Sequence, residues 1–151
     1  MKRTLVFTGV FAFFVGIVVG GYLFANSQPR SFLAIQNCNS SCYHLNELTG
    51  LLASAGVQRM PGLIPNVLME TKKCVAIAHP FPESRYHFLI FPKKDIKNIG
   101  EISVDDQPYI MDCIGVIRAL IVERRLKVYR VYTNGPGRQD VTYLHFHLIS
   151  K

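Results

Sequence analysis

The chain has 151 residues, 49% of them hydrophobic, and a formal net charge of +7. That length leaves room for one domain of ordinary size and little more. The charge falls to +5 once Lys2 and Arg3 are set aside, with 15 basic residues against 10 acidic. A balance of that size favours anionic partners, but no basic stripe interleaved with aromatics argues for nucleic acid.

Met-Lys-Arg precedes Thr4 to Ala25, a run of 22 uncharged, largely apolar residues. As a helix it spans about 33 Å, enough for the hydrocarbon core of a bilayer. Lys2 and Arg3 stay on the cytoplasmic side, which sends the rest of the chain across the membrane. The expectation is a single-pass protein, anchored through residues 4–25, with its C-terminal domain outside the cytoplasm. A cleaved signal peptide competes, but "YLFANS" puts Leu23 where cleavage wants a small residue. Residues 1–25 are thus read as anchor, 26–42 as linker and 43–151 as the folded domain.

The linker carries Cys38 and Cys42. If helical, their Cα atoms lie about 6 Å apart, within reach of a disulfide. With His44 beside them they also read as half of a zinc site. Residues 43–55 form a helix that Gly56 stops, and Met60 to Pro65 form a loop. Strands Val67–Glu70 and Cys74–Ala78 follow, and after "HPFPESR" the apolar run His87–Phe91 is a third strand. Ser103 and Asp106 open a long helix from Val104 to Leu126. Its Ile110, Ile114, Ile117 and Ile121 recur at helical spacing, with Cys113 beside them, so that face lies on the sheet. Arg118, Arg124, Arg125 and Lys127 complement the helix dipole. Cys74 and Cys113 read as buried small hydrophobes. Strands Val128–Tyr132 and Val141–Ile149 close the chain. The fold class is α+β: a mostly antiparallel sheet of about five strands, packed with one long and one shorter helix and preceded by a transmembrane helix.

The last strand carries the chemistry. In "VTYLHFHLISK", Leu144, Phe146 and Leu148 alternate with Tyr143, His145 and His147. Side chains two apart stand roughly 6.5–7 Å apart, so both imidazoles can touch one small anion. The loop "NGPGRQD" leads into them, and amides around Gly135 and Gly137 can point at an oxyanion. Imidazole is a competent nucleophile toward phosphorus, so phosphoester or phosphoanhydride chemistry fits.

"NGPGRQDVTYLHFHLI" resembles the signature of the histidine-triad (HIT) proteins, nucleotidyl hydrolases and transferases. "CVAIAHPFPESRYHFLIFPKKDI" is similar to the family's paired strands ending in Pro-Lys-Lys-His-Ile. The resemblance covers about Asn66 to Lys151 and implies a HIT-like fold. It implies that His145 is the nucleophile, that His147 hydrogen-bonds the phosphate, and that Asn134, Gly135 and Gln139 line the phosphate site. Val75 and Ile77 would wall the base or another apolar part of the substrate, with Val141 and His79 also at the substrate. A second copy of the chain is a candidate partner, because family members often dimerise.

Several positions depart from the family. Tyr143 stands at the first triad position, where a tyrosine can still donate a hydrogen bond to catalysis. Asp95 replaces the family's zinc-type His, and Cys38-xxx-Cys42 replaces its Cys-x-x-Cys. No metal or other cofactor is therefore expected, and the two cysteines read as a disulfide or free thiols. His79 replaces the carboxylate that meets ribose, and Asp140 replaces a hydroxyl residue; a carboxylate beside phosphate is repulsive unless protonated or turned away. "GRQDVTYLHFHLIS" is also similar to bacterial CDP-diacylglycerol pyrophosphatases, anchored relatives with a His-rich final strand. The expected function is an anchored hydrolase of a nucleotide-containing substrate. Its alternatives are a lipid-nucleotide pyrophosphatase and an inactive nucleotide-binding module.

Overall fold

The computed structural model describes residues 2–31 and 44–151. Cys38 and Cys42, the subject of the disulfide-or-thiol expectation, lie outside the described residues. The first helix, α1 (Lys2–Phe24), contains a stretch, Val6–Phe24, of mean hydropathy 2.2 with none of it buried in the protein. It is long and apolar enough to cross a membrane, or to serve as a signal sequence.

The second helix, α2 (Leu45–Arg59), runs through Gly56 where a stop was expected. Glycine costs about 1 kcal/mol in a helix interior. Burial of the next residue, Val57, against Val75 and Tyr143 offsets that cost. The strands are β1 (Val67–Glu70), β2 (Cys74–Ala78), β3 (Tyr86–Pro92), β4 (Tyr129–Tyr132) and β5 (Phe146–Ser150), and α3 (Gln107–Glu123) lies between β3 and β4. They form one antiparallel sheet in the order β1-β2-β3-β5-β4.

Helix α3 enters through a 3₁₀ turn, Val104–Asp106. There the Asp106 carboxylate accepts from both the amide and the hydroxyl of Ser103, each at 2.7 Å. The helix ends three residues before the expected Leu126, with no glycine to signal the stop. Arg125 takes a left-handed conformation, φ 51°, and Leu126 N–H closes back on Ile121 O at 2.9 Å. This is the hydrogen bonding that glycine usually supports at a helix end.

Register decides which residues share a face. Ala76 pairs with Ile90, Phe88 with Leu148 and Ile90 with Phe146. These side chains pack on Cys113, Val116, Ile117 and Leu120 of α3. The buried stripe is therefore turned from the expected one: Ile114 is exposed and Ile110 and Ile121 only flank the core. Cys74 and Cys113 are not separate small hydrophobes, as their apolar settings suggested, but form a disulfide with Cα atoms 5.3 Å apart. It closes a loop of 39 residues between β2 and α3. Chain entropy predicts a stabilisation of about 4 kcal/mol for a loop of that length. A Cys74→Ala/Cys113→Ala double variant is expected to lose roughly 2–4 kcal/mol in denaturant unfolding. A loss below about 1 kcal/mol would show that the link adds little.

Candidate functional site

The other face of the sheet carries the titratable groups. Across it run Val75 and Ile77 of β2, His87, Leu89 and Phe91 of β3, His147 and Ile149 of β5, and Arg130 and Tyr132 of β4. The segment before β5 is not strand, contrary to the expectation that Val141–Ile149 is one. Other elements hold it instead: Thr142 N–H donates to Asn46 O at 3.0 Å and Leu144 N–H to Ile96 O at 2.6 Å. Tyr143 N–H turns back on Val141 O at 2.8 Å. These turns deliver His145 beside His147, with ring centroids 4.9 Å apart.

Two features that sequence reasoning passed over position this segment. A Cβ on Gly50 would meet Thr142 O at 2.5 Å, so α2 approaches that closely only through a glycine. The Arg30 guanidinium is 1% exposed; it donates to both oxygens of Asp95 at 2.8 and 2.7 Å and to Thr142 O at 2.6 Å. Gln28 joins the same carboxylate through its amide at 2.7 Å. Asp95 thus serves as the acceptor that ties the segment after α1 to the site. In "GPGR", Pro136 and Gly137 (φ +83°) occupy the centre of a turn closed by Arg138 N–H on Gly135 O at 3.1 Å. That is the residue pair a type II turn selects.

The other expected site residues divide into two groups. His79 stacks on His87 at 4.0 Å and lies 6.1 Å from His147, and Asn134 lines a cavity beside Tyr132. Gln139 points elsewhere, donating to Lys97 O at 3.1 Å, and Asp140 O accepts from the Thr49 hydroxyl at 3.3 Å. Tyr143 is fully buried and donates to Pro92 O at 2.6 Å. What it presents to His145 is its backbone carbonyl, not its phenol. Val141 and Ile77 flank the apolar cluster around Val57, Val75 and Tyr143. Ile77 also walls an apolar cavity of about 300 Å³ with Leu52, Val57, Met60, Ile64 and Phe91.

His87 was read only as the start of an apolar strand. The available signal was a histidine in a run otherwise destined for burial. It is buried, and its Nε2 lies 3.0 Å from His147 Nδ1. Four of the five histidines therefore meet on one face.

Backbone partners assign their protons. An amide can only donate and a carbonyl can only accept. Tyr143 O lies 2.7 Å from His145 Nδ1, so the proton of neutral His145 sits there and Nε2 keeps its lone pair. Glu83 N–H donates to His87 Nδ1 at 3.3 Å, placing the His87 proton on Nε2, which donates to His147 Nδ1. His147 then carries its proton on Nε2, a buried atom with no protein partner among the described residues. The pair offers one nucleophilic nitrogen and one hydrogen-bond donor. His79, His87 and His147 also bring ligand atoms within 4.8 Å of one another. Yet the amides of Phe81 (3.0 Å) and Glu83 occupy Nδ1 of His79 and of His87, and a proton already lies between His87 Nε2 and His147 Nδ1. This is the chemistry of a hydrogen-bond relay more than of a ligand set.

Burial holds His145 and His87 below the usual histidine range. It holds His147 at about 3, helped by His145, His87, His79 and Arg130. The rings are neutral in the folded protein where the unfolded chain would take up protons. Stability therefore falls as pH drops from the ordinary histidine value of about 6.5 toward 3, and is retained above it. Denaturant midpoints between pH 7 and 4 should show that decline, and it should be shallower in His147→Asn. Equal slopes would mean that His147 is not held neutral.

Residues 64–151 match the family model described as HIT domain. A HIT-like protein of Chlamydia pneumoniae is 32% identical over 96 residues, covering 61% of this chain and 87% of that one. Among solved structures, a HIT family hydrolase from Legionella pneumophila is 29% identical with a TM-score of 0.57, covering 62% of this chain and 88% of that chain. A histidine triad nucleotide-binding protein from Candida albicans is 28% identical with a TM-score of 0.54, covering 63% and 72%.

Proposed function

Since the chain belongs to the HIT family, we propose that it is a hydrolase opening a phosphorus bond of a nucleotide-containing substrate, with His145 as nucleophile. The observation that carries this is the proton assignment. The His145 ring, with its Nε2 lone pair free, lies 4.9 Å from the His147 ring, whose Nε2–H has no protein partner among the described residues. In the first step Nε2 forms a bond to phosphorus while the leaving group departs with its electron pair. His147 donates to a non-bridging oxygen as charge builds there. Water then attacks phosphorus, and the N–P electron pair returns to His145. Rapid acid-free quenching after incubation with a ³²P-labelled nucleotide should leave acid-labile, base-stable label on His145. Absence of label during measurable turnover would exclude a covalent histidine intermediate.

Two further readings rest on this one. The Cys74–Cys113 disulfide and the basic residues Lys2 and Arg3 at the start of α1 support a membrane-tethered domain on the extracytoplasmic side. Helix α2 both lines the apolar cavity and contacts the segment around α1, through Arg59 over the Tyr22 ring at 4.9 Å and Ser54 bonded to Ser27 at 3.0 Å. That placement favours a lipid-linked nucleotide as the alternative substrate. On the opposite edge Tyr129 and Val131 of β4 and the preceding Val128 are exposed, as are Met111, Ile114 and Val122 of α3, which suits a second copy of the chain.

A further inference from the structure

A cavity of about 710 Å³ opens on the β4 side of His147, opposite in the sheet to the apolar one. Arg130, Tyr132, Asn134, Arg138 and Glu83 line it. Tyr132 stacks on His147 with centroids 4.5 Å apart and planes 3° from parallel. The Arg130 guanidinium lies 4.5 Å over the other partner in that stack, the Tyr132 ring. Stacking fixes Arg130 without using its N–H groups, which stay available to an anion. Among the described residues, no carboxylate forms an ion pair with Arg130 or Arg138. Glu83 is the one acid in the lining, against two arginines, and its backbone amide is engaged with His87.

We infer that this cavity is an anion subsite for a phosphate on the leaving group, so that the bond cleaved is a phosphoanhydride. The inference rests on the hydrolase reading and narrows it. The reacting phosphorus sits at His145 and His147, with the nucleoside or other apolar portion toward Ile77 and Phe91. The P–O–P bridge then points past His147 toward Tyr132. When His145 Nε2 bonds to phosphorus, the bridging P–O bond breaks and its electron pair leaves on the second phosphate. Carrying one proton or one ester substituent, that group departs as a dianion and needs no further proton donor at neutral pH, but its added charge needs cations. Arg130 and Arg138 supply them, and their forked donors suit phosphate oxygens. Amine leaving groups carry no anion to meet them.

The test compares two substrates of the same base, a nucleoside 5′-diphosphate and a nucleoside 5′-phosphoramidate, on the full chain in detergent. Arg130→Gln and Arg138→Gln should each lower the ratio of their kcat/KM values, diphosphate over phosphoramidate, by roughly tenfold to a hundredfold. Arg130→Lys should recover part of the ratio, because the charge remains. Ratios within twofold of wild type in both glutamine variants would overturn the subsite. So would a wild-type protein that turns over the phosphoramidate but not the diphosphate, although the catalytic reading would stand. If neither substrate is turned over, the catalytic reading fails and calorimetry with inorganic pyrophosphate decides the subsite. Binding lost in the Arg130→Gln/Arg138→Gln variant supports it, and no binding to the wild type refutes it.

Discussion

His145→Ala is expected to lower turnover by about 10³ to 10⁶-fold, and His147→Ala by roughly 10² to 10³-fold. The ordering follows from what each ring offers. Among the described imidazoles, His145 provides the one lone pair that the hydrogen-bond pattern leaves free next to His147, so its loss removes the attacking atom. His147 donates one hydrogen bond to developing charge, and its loss leaves the nucleophile in place. His87→Ala should act through His147: without the His87 Nε2–H donor, the His147 proton can shift to Nδ1 and Nε2 becomes an acceptor facing phosphate oxygen. His87→Gln, which can still donate, should recover part of the loss. Wild-type rates in His145→Ala would leave a nucleotide-binding module as the reading. Restoring the family residue with Tyr143→His is expected not to help, since the phenol is buried beside Phe91 with its hydroxyl engaged by Pro92 O.

Arg30→Ala or Asp95→Ala is expected to destabilise the domain by about 3–5 kcal/mol, because either leaves a buried charge without its partner. Both side chains are 1% exposed, and the carboxylate takes two guanidinium bonds and the Gln28 amide. Removing both charges should cost less than the sum of the single changes, which is the signature of a direct pair. Activity should fall as well. Arg30 also holds Thr142 O, three residues before His145, so the nucleophile loses part of its support. Urea unfolding of the four proteins in the cycle gives the coupling directly. Additive losses under about 1 kcal/mol would show a screened contact that positions nothing.

Local periodicity determined much of this protein. Continuous apolar runs and flanking prolines located β2 and β3, because a strand buried on both faces leaves such a run wherever it lies. The Ser103–Asp106 cap located the start of α3, and Pro136-Gly137 the turn before the histidines; each acts within four residues. The His145–His147 pair and the HIT resemblance were legible for the same reason, as residues and spacings along one stretch of chain.

What only the tertiary structure decided involves partners far apart in sequence. His87 meets His147 across 60 residues because β3 and β5 pair in a register that puts Leu89 opposite His147. A one-residue slip would turn His87 to the α3 face. Cys74 and Cys113 join because sheet and helix approach within disulfide reach. Nothing in "TYLH" says that Tyr143 turns its phenol to Pro92 and only its carbonyl to His145, nor that Arg30 reaches Asp95 across 65 residues. Alternation along one strand names the faces, but the residues on neighbouring strands and helices choose the partners. Whether a side chain becomes a nucleophile, a clamp or core is settled by those partners.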